Sequence, residues 1–246
     1  MNYTDTIGKS KDSRSQEYVS WNSYFDMILQ FEIDTNKIAS YLPKRIRSLE
    51  VRPGKSLLSV GVPCFKKGNL GYLPEFHEIF WGVIVQPSYS RQQASFPRSA
   101  YYTVNVSGDS DGFLEYAYSD DKMPIYENAN LKIRHLTNPV GVEAEDAHGP
   151  IFSIRNTQQN LFFEAQNQVV QVYSSPDRNN EVFSNTVQWI GSACQHQKKG
   201  NWGKLYNHPF FMGLNVESLS ETDCYMQIVS KPDAEIEMRF FTPEKI

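Results

Sequence analysis

Residues 24–31 read Tyr-Phe-Asp-Met-Ile-Leu-Gln-Phe, an eight-residue run of aromatic and branched side chains. That length and composition suit a buried strand. Just beyond it, Asp34 is placed to cap a short helix. Ile38, Tyr41 and Leu42 fall on one helical face, and Pro43 ends the segment, so a helix is expected over 34–42.

The next apolar runs are again short. Ser56–Val62, Glu78–Gln86 and Ala100–Val106 read as strands. Lys66–Gly71 and Gly108–Gly112 read as turns, and Phe113–Tyr118 as a continuation of the meander. Asn130–Leu136, Ile151–Ile154, Leu161–Ala165 and Gln168–Tyr173 continue the strand pattern. In the last strand Ile236, Met238 and Phe240 share one face. Val182, Thr186, Trp189 and Ile190 have helical spacing, so 177–194 is the one further helix candidate. Many short strands without a Pro- or Gly-rich linker imply a mainly β chain. Its curved antiparallel sheets are expected to close into a barrel-like fold around an internal pocket, with few short helices. The expected organisation is a frayed tail over 1–17 and one β domain over 18–246.

The chain has 246 residues, 24 basic and 28 acidic side chains, and a formal net charge of −4. A slightly acidic balance excludes a general nucleic-acid or anionic-membrane binder, which needs a basic footprint. Cys64, Cys194 and Cys224 are odd in number and widely spaced, with no CxxC. They suggest buried thiols in a reducing cytoplasm rather than a disulfide framework or a structural zinc site. No two histidines show HxH or HxxxH spacing, and nothing in the pattern requires a metal. No phosphate-binding glycine loop, nucleophile elbow or dinucleotide fingerprint is present, so no cofactor is expected. The polar N-terminus has no apolar signal-peptide core, and no apolar window approaches the ~20 residues of a spanning helix.

The order of these segments resembles the acetoacetate decarboxylase-like family. The resemblance rests on Tyr24–Phe31, Asp34–Pro43, Leu57–Val62, Asn69-Leu-Gly-Tyr-Leu-Pro-Glu75, Tyr101–Val106 and Ala129-Asn-Leu-Lys-Ile133, and covers roughly residues 20–175. It implies curved antiparallel sheets around an internal pocket. It also implies chemistry on a carbonyl through a lysine whose neutral amine forms a Schiff base. The family's turn glutamate falls on Glu75, and its lysine loop falls across Asp120-Asp-Lys122-Met-Pro124. Its early arginine falls near Asn22 or Ser23 and its second glutamate near Val60, so neither is present.

Glu75, Lys122 and His77 are therefore the candidate catalytic residues. On strand geometry Glu75 and His77 share a face, and both are expected to look into the pocket. Phe80, Trp81, Tyr102, Tyr116, Tyr118 and Tyr126 are the candidate substrate-binding residues. Their aromatic surface suits a partly apolar, polyketide- or terpenoid-like intermediate. The implied function is altered acetoacetate decarboxylase-like chemistry in secondary metabolism: a lyase or cyclase acting by decarboxylation, dehydration, aldol-type bond making or cyclisation. The alternatives are a cofactor-free cyclase that works by shape alone and a non-catalytic barrel that binds a hydrophobic small molecule. The expected partner is a small-molecule substrate, with no nucleic acid or membrane, in a cytoplasmic chain for which a homo-oligomer is one open state.

Overall fold

The computed structural model describes residues 18–68, 75–87, 99–127, 130–137, 140–156, 161–179, 181–196, 202–220, 223–231 and 236–246. The tail over 1–17 and most of the turn before Glu75 lie outside the described residues.

The strands are β1 (Tyr18–Asp34), β2 (Glu50–Arg52), β3 (Lys55–Gly68), β4 (Phe76–Val85), β5 (Ser99–Gly108), β6 (Lys132–Thr137), β7 (Val140–Asp146), β8 (Gly149–Arg155), β9 (Glu164–Ser174), β10 (Phe183–His196), β11 (Gly203–Leu205), β12 (Cys224–Ser230), β13 (Ile236–Phe241) and β14 (Glu244–Lys245). The α-helices are α1 (Thr35–Ile38), continued by a 3-10 turn over Ala39–Tyr41, and α2 (Asp111–Ser119).

The protein is mainly β, as the strand pattern implies. Following the ladders from β1 through β3, β4, β5, β9, β10 and β13 returns to β1, so seven strands close a barrel. All these pairings are antiparallel except β5 with β9. β12 and β13 fill one slot between β1 and β10 at different heights: Met27–Phe31 faces β12, and Tyr18–Ser23 faces β13. Closure leaves the barrel without a free edge along those seven strands.

The run at 24–31 is apolar on both faces because both faces are covered. Met27, Leu29 and Phe31 point outward into the main core, while Asp26 and Ile28 point into the barrel. A sheet buried on both sides reads as a continuous apolar run rather than a clean alternation. A second sheet, ordered β11-β8-β7-β6, shares the main core through Val142, Ala144, Phe152, Ile154 and Leu205. Phe210 and Phe211 lie in that same core, and Trp81 donates its indole N–H to the Phe210 carbonyl at 2.8 Å.

Two expectations need correction. Phe113–Tyr118 is helix, not meander. Ser110 caps it by accepting the Phe113 amide at 3.3 Å, and Phe113, Tyr116 and Ala117 bury one face at helical spacing. This helix belongs to a second cluster with Trp21, Phe65, Phe76 and Met123, with Phe80, Met238 and Phe240 packed against it. The segment 177–194 is not helical: it carries β10, with Val187, Trp189 and Ala193 facing inward at a period of two. The expected helix at 34–42 forms only one α turn and one 3-10 turn. Asp34 takes the cap position, but its carboxylate bonds Lys55 at 2.5 Å instead of an amide of the helix.

Candidate functional site

The barrel holds a partly open cavity of about 150 Å³. Its wall alternates along each strand: Asp26 and Ile28 from β1, Glu78 and Phe80 from β4, Tyr101 and Thr103 from β5, Gln166 to Val172 at every second residue from β9, Trp189 from β10, Ser230 from β12, and Met238 and Phe240 from β13. The wall is mostly apolar, with Asp26, Glu78, Tyr101, Thr103, Gln166, Gln168 and Ser230 as polar members. No lysine or arginine is among its described residues. A larger hollow of about 430 Å³ lies on the outer side of α2, lined by Asp111, Glu115, Tyr118 and Glu127. Those four side chains are exposed, so that hollow supplies none of the desolvation that tunes reactive groups.

The two cavity carboxyls have different surroundings. Asp26 receives the Ser23 hydroxyl at 2.5 Å and the Trp189 indole N–H at 2.7 Å. Burial pushes its pKa up to about 6, while those hydrogen bonds and one from the Cys64 backbone pull it down. For Glu78, burial and then the charges of Asp121 and Asp26 push its pKa up to about 8. Asp121, buried at the end of α2, receives the Tyr116 hydroxyl at 3.2 Å. Burial pushes it up to about 7 against that hydrogen bond, with Asp120 adding to the rise. Near neutral pH, Glu78 is mostly a proton donor and Asp26 mostly a carboxylate. Such a split between neighbouring carboxyls assigns acid and base roles.

Of the sequence-selected residues, Phe80 lines this cavity and the others do not. Trp81 and Tyr102 point outward into the main core. Tyr116 packs edge-on against Trp21 in the second cluster. Tyr118 is exposed and donates to Asp177 at 2.8 Å. Tyr126 donates to Asp146 at 3.3 Å, with its ring against His208 and Phe210. Lys122 lies in the turn after α2, in a left-handed conformation with φ of 56°. Its ammonium bonds the Ser119 carbonyl and sits 6.0 Å over the Phe183 ring.

Glu75 and His77 do come together, but on the barrel's outer face. Glu75 is exposed and close enough to Tyr24 that, after burial and Cys64, it helps raise the hydroxyl's pKa. His77 Nε2 is 2.8 Å from that same hydroxyl, and its Nδ1 is 2.5 Å from Asp109. Alternation along β4 explains the reversal: Glu78 and Phe80 look inward, so His77 looks out. Asp26 and Glu78 therefore carry the cavity's acidity. A lone acid inside the apolar run 24–31 was the available signal for Asp26. For Glu78 the signal depended on knowing which face of β4 is inside.

Three solved structures are similar over most of the chain. An acetoacetate decarboxylase structure superposes with a TM-score of 0.63 at 11% identity, covering 100% of this chain and 98% of that one. The acetoacetate decarboxylase of Legionella pneumophila gives 0.60 at 10% identity, covering 93% and 86%. The enduracididine biosynthesis enzyme MppR, solved with the condensation product of pyruvate and imidazole 4-carboxaldehyde, gives 0.59 at 8% identity, covering 93% and 88%. No family model and no curated protein matches the sequence. The chain has the acetoacetate decarboxylase-like fold, which agrees with the resemblance drawn from its segment order.

Proposed function

We propose that the protein is an enzyme that performs acid–base chemistry on a small, uncharged carbonyl compound inside the barrel. Glu78 donates a proton to the carbonyl oxygen, and Asp26 removes one from the adjacent carbon. The product of that step is an enol, from which dehydration, aldol-type bond formation or ring closure proceeds. The observation that carries this reading is the pair of carboxyls facing one cavity, Asp26 held by two side-chain hydrogen bonds and Glu78 raised by burial and neighbouring acids. MppR, of the same fold, was solved with the product of a carbonyl condensation, which supports placing this chain in biosynthesis.

The cavity's charge argues against simple β-keto acid decarboxylation. A substrate carboxylate would sit beside the Asp26 carboxylate with no described cation in the wall, and like charges in a desolvated space repel strongly. The volume also narrows the substrate class. A cavity of about 150 Å³ is benzene-sized, smaller than the polyketide- or terpenoid-like ligand expected from the aromatic count. Five of the six candidate aromatics lie outside the cavity lining, which explains the difference.

The test is solvent deuterium incorporation into a panel of small neutral aldehydes and ketones, followed by NMR. The wild type is expected to exchange α-protons of at least one member. Glu78→Gln and Asp26→Asn should each slow that exchange by about 100-fold or more, the scale of general acid–base catalysis. Acetoacetate should release carbon dioxide no faster than in buffer. Exchange at the background rate across the panel, or full activity in both variants, would overturn the proposal.

A further inference from the structure

On the barrel's outer face, away from the cavity, three residues from three strands converge. Cys64 of β3 pairs with His77 of β4 in the ladder, and His135 comes from β6 of the four-stranded sheet. One ligand atom from each lies within 4.8 Å of the other two. From this convergence we infer a metal site that binds one zinc ion through Cys64 Sγ, His77 Nε2 and His135 Nε2.

The donor set and its spacing favour that ion. A thiolate and two imidazoles suit zinc over magnesium or calcium, which take oxygen ligands. With zinc bonds of about 2.3 Å to sulfur and about 2.0–2.1 Å to nitrogen, tetrahedral geometry puts sulfur and nitrogen about 3.6 Å apart. Cys64 Sγ and His135 Nε2 already stand 3.5 Å apart. His77 has only to close in, and its ring is oriented to do so. Asp109 holds Nδ1 at 2.5 Å and also accepts the His77 backbone amide at 2.8 Å. That carboxylate–histidine pairing fixes which nitrogen is offered outward, and it is the usual support of a metal-ligating histidine. Without an ion, the Tyr24 hydroxyl occupies His77 Nε2 at 2.8 Å. When zinc takes that nitrogen, the Tyr24 hydroxyl proton is freed for the neighbouring Glu75 carboxylate. The fourth tetrahedral position then opens toward these two side chains, at a rim where His77 and Asp109 are partly exposed and an ion can enter.

The bond set would tie the four-stranded sheet to the barrel at a point where they otherwise meet through ring contacts, Phe25 and Tyr24 against His135. The site is separate from the cavity, although the Cys64 backbone bonds Asp26 and the cavity carboxyls act on its thiol. Its ligands face the opposite side of β3 and β4, so the two proposals stand or fall separately.

The experiment is a titration of chelator-treated full-length protein with cobalt(II), then zinc. One equivalent of cobalt should give a near-ultraviolet thiolate charge-transfer band that zinc bleaches. Cys64→Ser should abolish the band, and His135→Gln should remove stoichiometric binding. Asp109→Asn should weaken binding by about 10–100-fold. X-ray absorption of the wild-type zinc protein should show one sulfur and at least two imidazole nitrogens, a readout that needs no folded variant. A sulfur-free shell, no charge-transfer band in the wild type, or one-equivalent binding unchanged in Cys64→Ser and His135→Gln would overturn the inference.

Discussion

Lys122 shows how one backbone angle weighs against a chemical reading. Its φ of 56° places it in the left-handed region just after α2. There a residue reverses the chain so that the Met123 amide reaches the Ala117 carbonyl at 2.8 Å. Glycine is the usual occupant of such a position because a Cβ there costs about 1–2 kcal/mol. Lys122→Gly is therefore expected to raise stability by about 1 kcal/mol, read by chemical denaturation, while Lys122→Ala, which keeps the Cβ, should change it little. Both variants should retain the deuterium-exchange activity proposed above. Loss of that activity in both, with the fold intact, would return the amine to the chemistry. At this same scale Asp26 and Glu78 gain their character from neighbours distant in sequence. Trp189 lies 163 residues from Asp26, yet after the Ser23 hydroxyl its indole N–H is the next group that draws that carboxyl's pKa down against burial.

Elements carry the cavity's shape, and the contact between β3 and β4 is the sharpest case. Gly61 lies opposite Phe80 in the ladder. A Cβ at Gly61 would stand 2.3 Å from the Phe80 ring, so the ring must move. Gly61→Ala should drive Phe80 into the space a substrate needs. The expected result is a stability loss of about 1–3 kcal/mol and at least a tenfold loss of exchange activity. Adding Phe80→Leu should recover part of that activity; a Gly61→Ala protein as active as wild type would show that the Phe80 wall does not bound the substrate. The glycine in Val60-Gly-Val62 reads in sequence only as a flaw in a strand. The strand at 24–31 and the final alternation at 236–240 were legible because their length and period are local properties. α2 was misread because Phe113, Tyr116 and Tyr118 are strong strand formers. Its helical signal lay in the Ser110 cap and the spacing of Phe113, Tyr116 and Ala117. The error at 177–194 ran the other way: Val182, Thr186, Trp189 and Ile190 coincide with a helical period, while the face that matters runs through Val187, Trp189 and Ala193. Which face of a strand lies inside a closed barrel is set by closure. With apolar cover on both faces, that orientation is not written in any single strand, and for this reason Glu75 and His77 were placed inside and Glu78 was not.

For the whole molecule, the interior acids set how stability depends on pH. Folding moves the pKa values of Asp26, Asp121 and Glu78 upward, from 3.8, 3.8 and 4.5 to about 6, about 7 and about 8. The folded state then binds more protons than the unfolded chain between these limits. Their contribution is fully present below about pH 4 and is lost as pH rises through the folded values. This is the reverse of a protein whose carboxylates are held by cations. His135 works in the opposite sense: burial and then His77 lower its pKa, so its contribution is present above the ordinary histidine value and is lost as pH falls. Comparing wild type with a Glu78 variant isolates the carboxyl term from that background. Wild-type melting temperature should fall between about pH 5 and pH 9, and Glu78→Gln, which keeps shape without a titrating proton, should flatten the alkaline part of the fall. The difference is expected to be on the order of a few kcal/mol by pH 9, several degrees for a chain of this size. Parallel melting curves for the two proteins across that range would mean that Glu78 does not hold a proton in the folded barrel, and the acid half of the proposed pair would go with it.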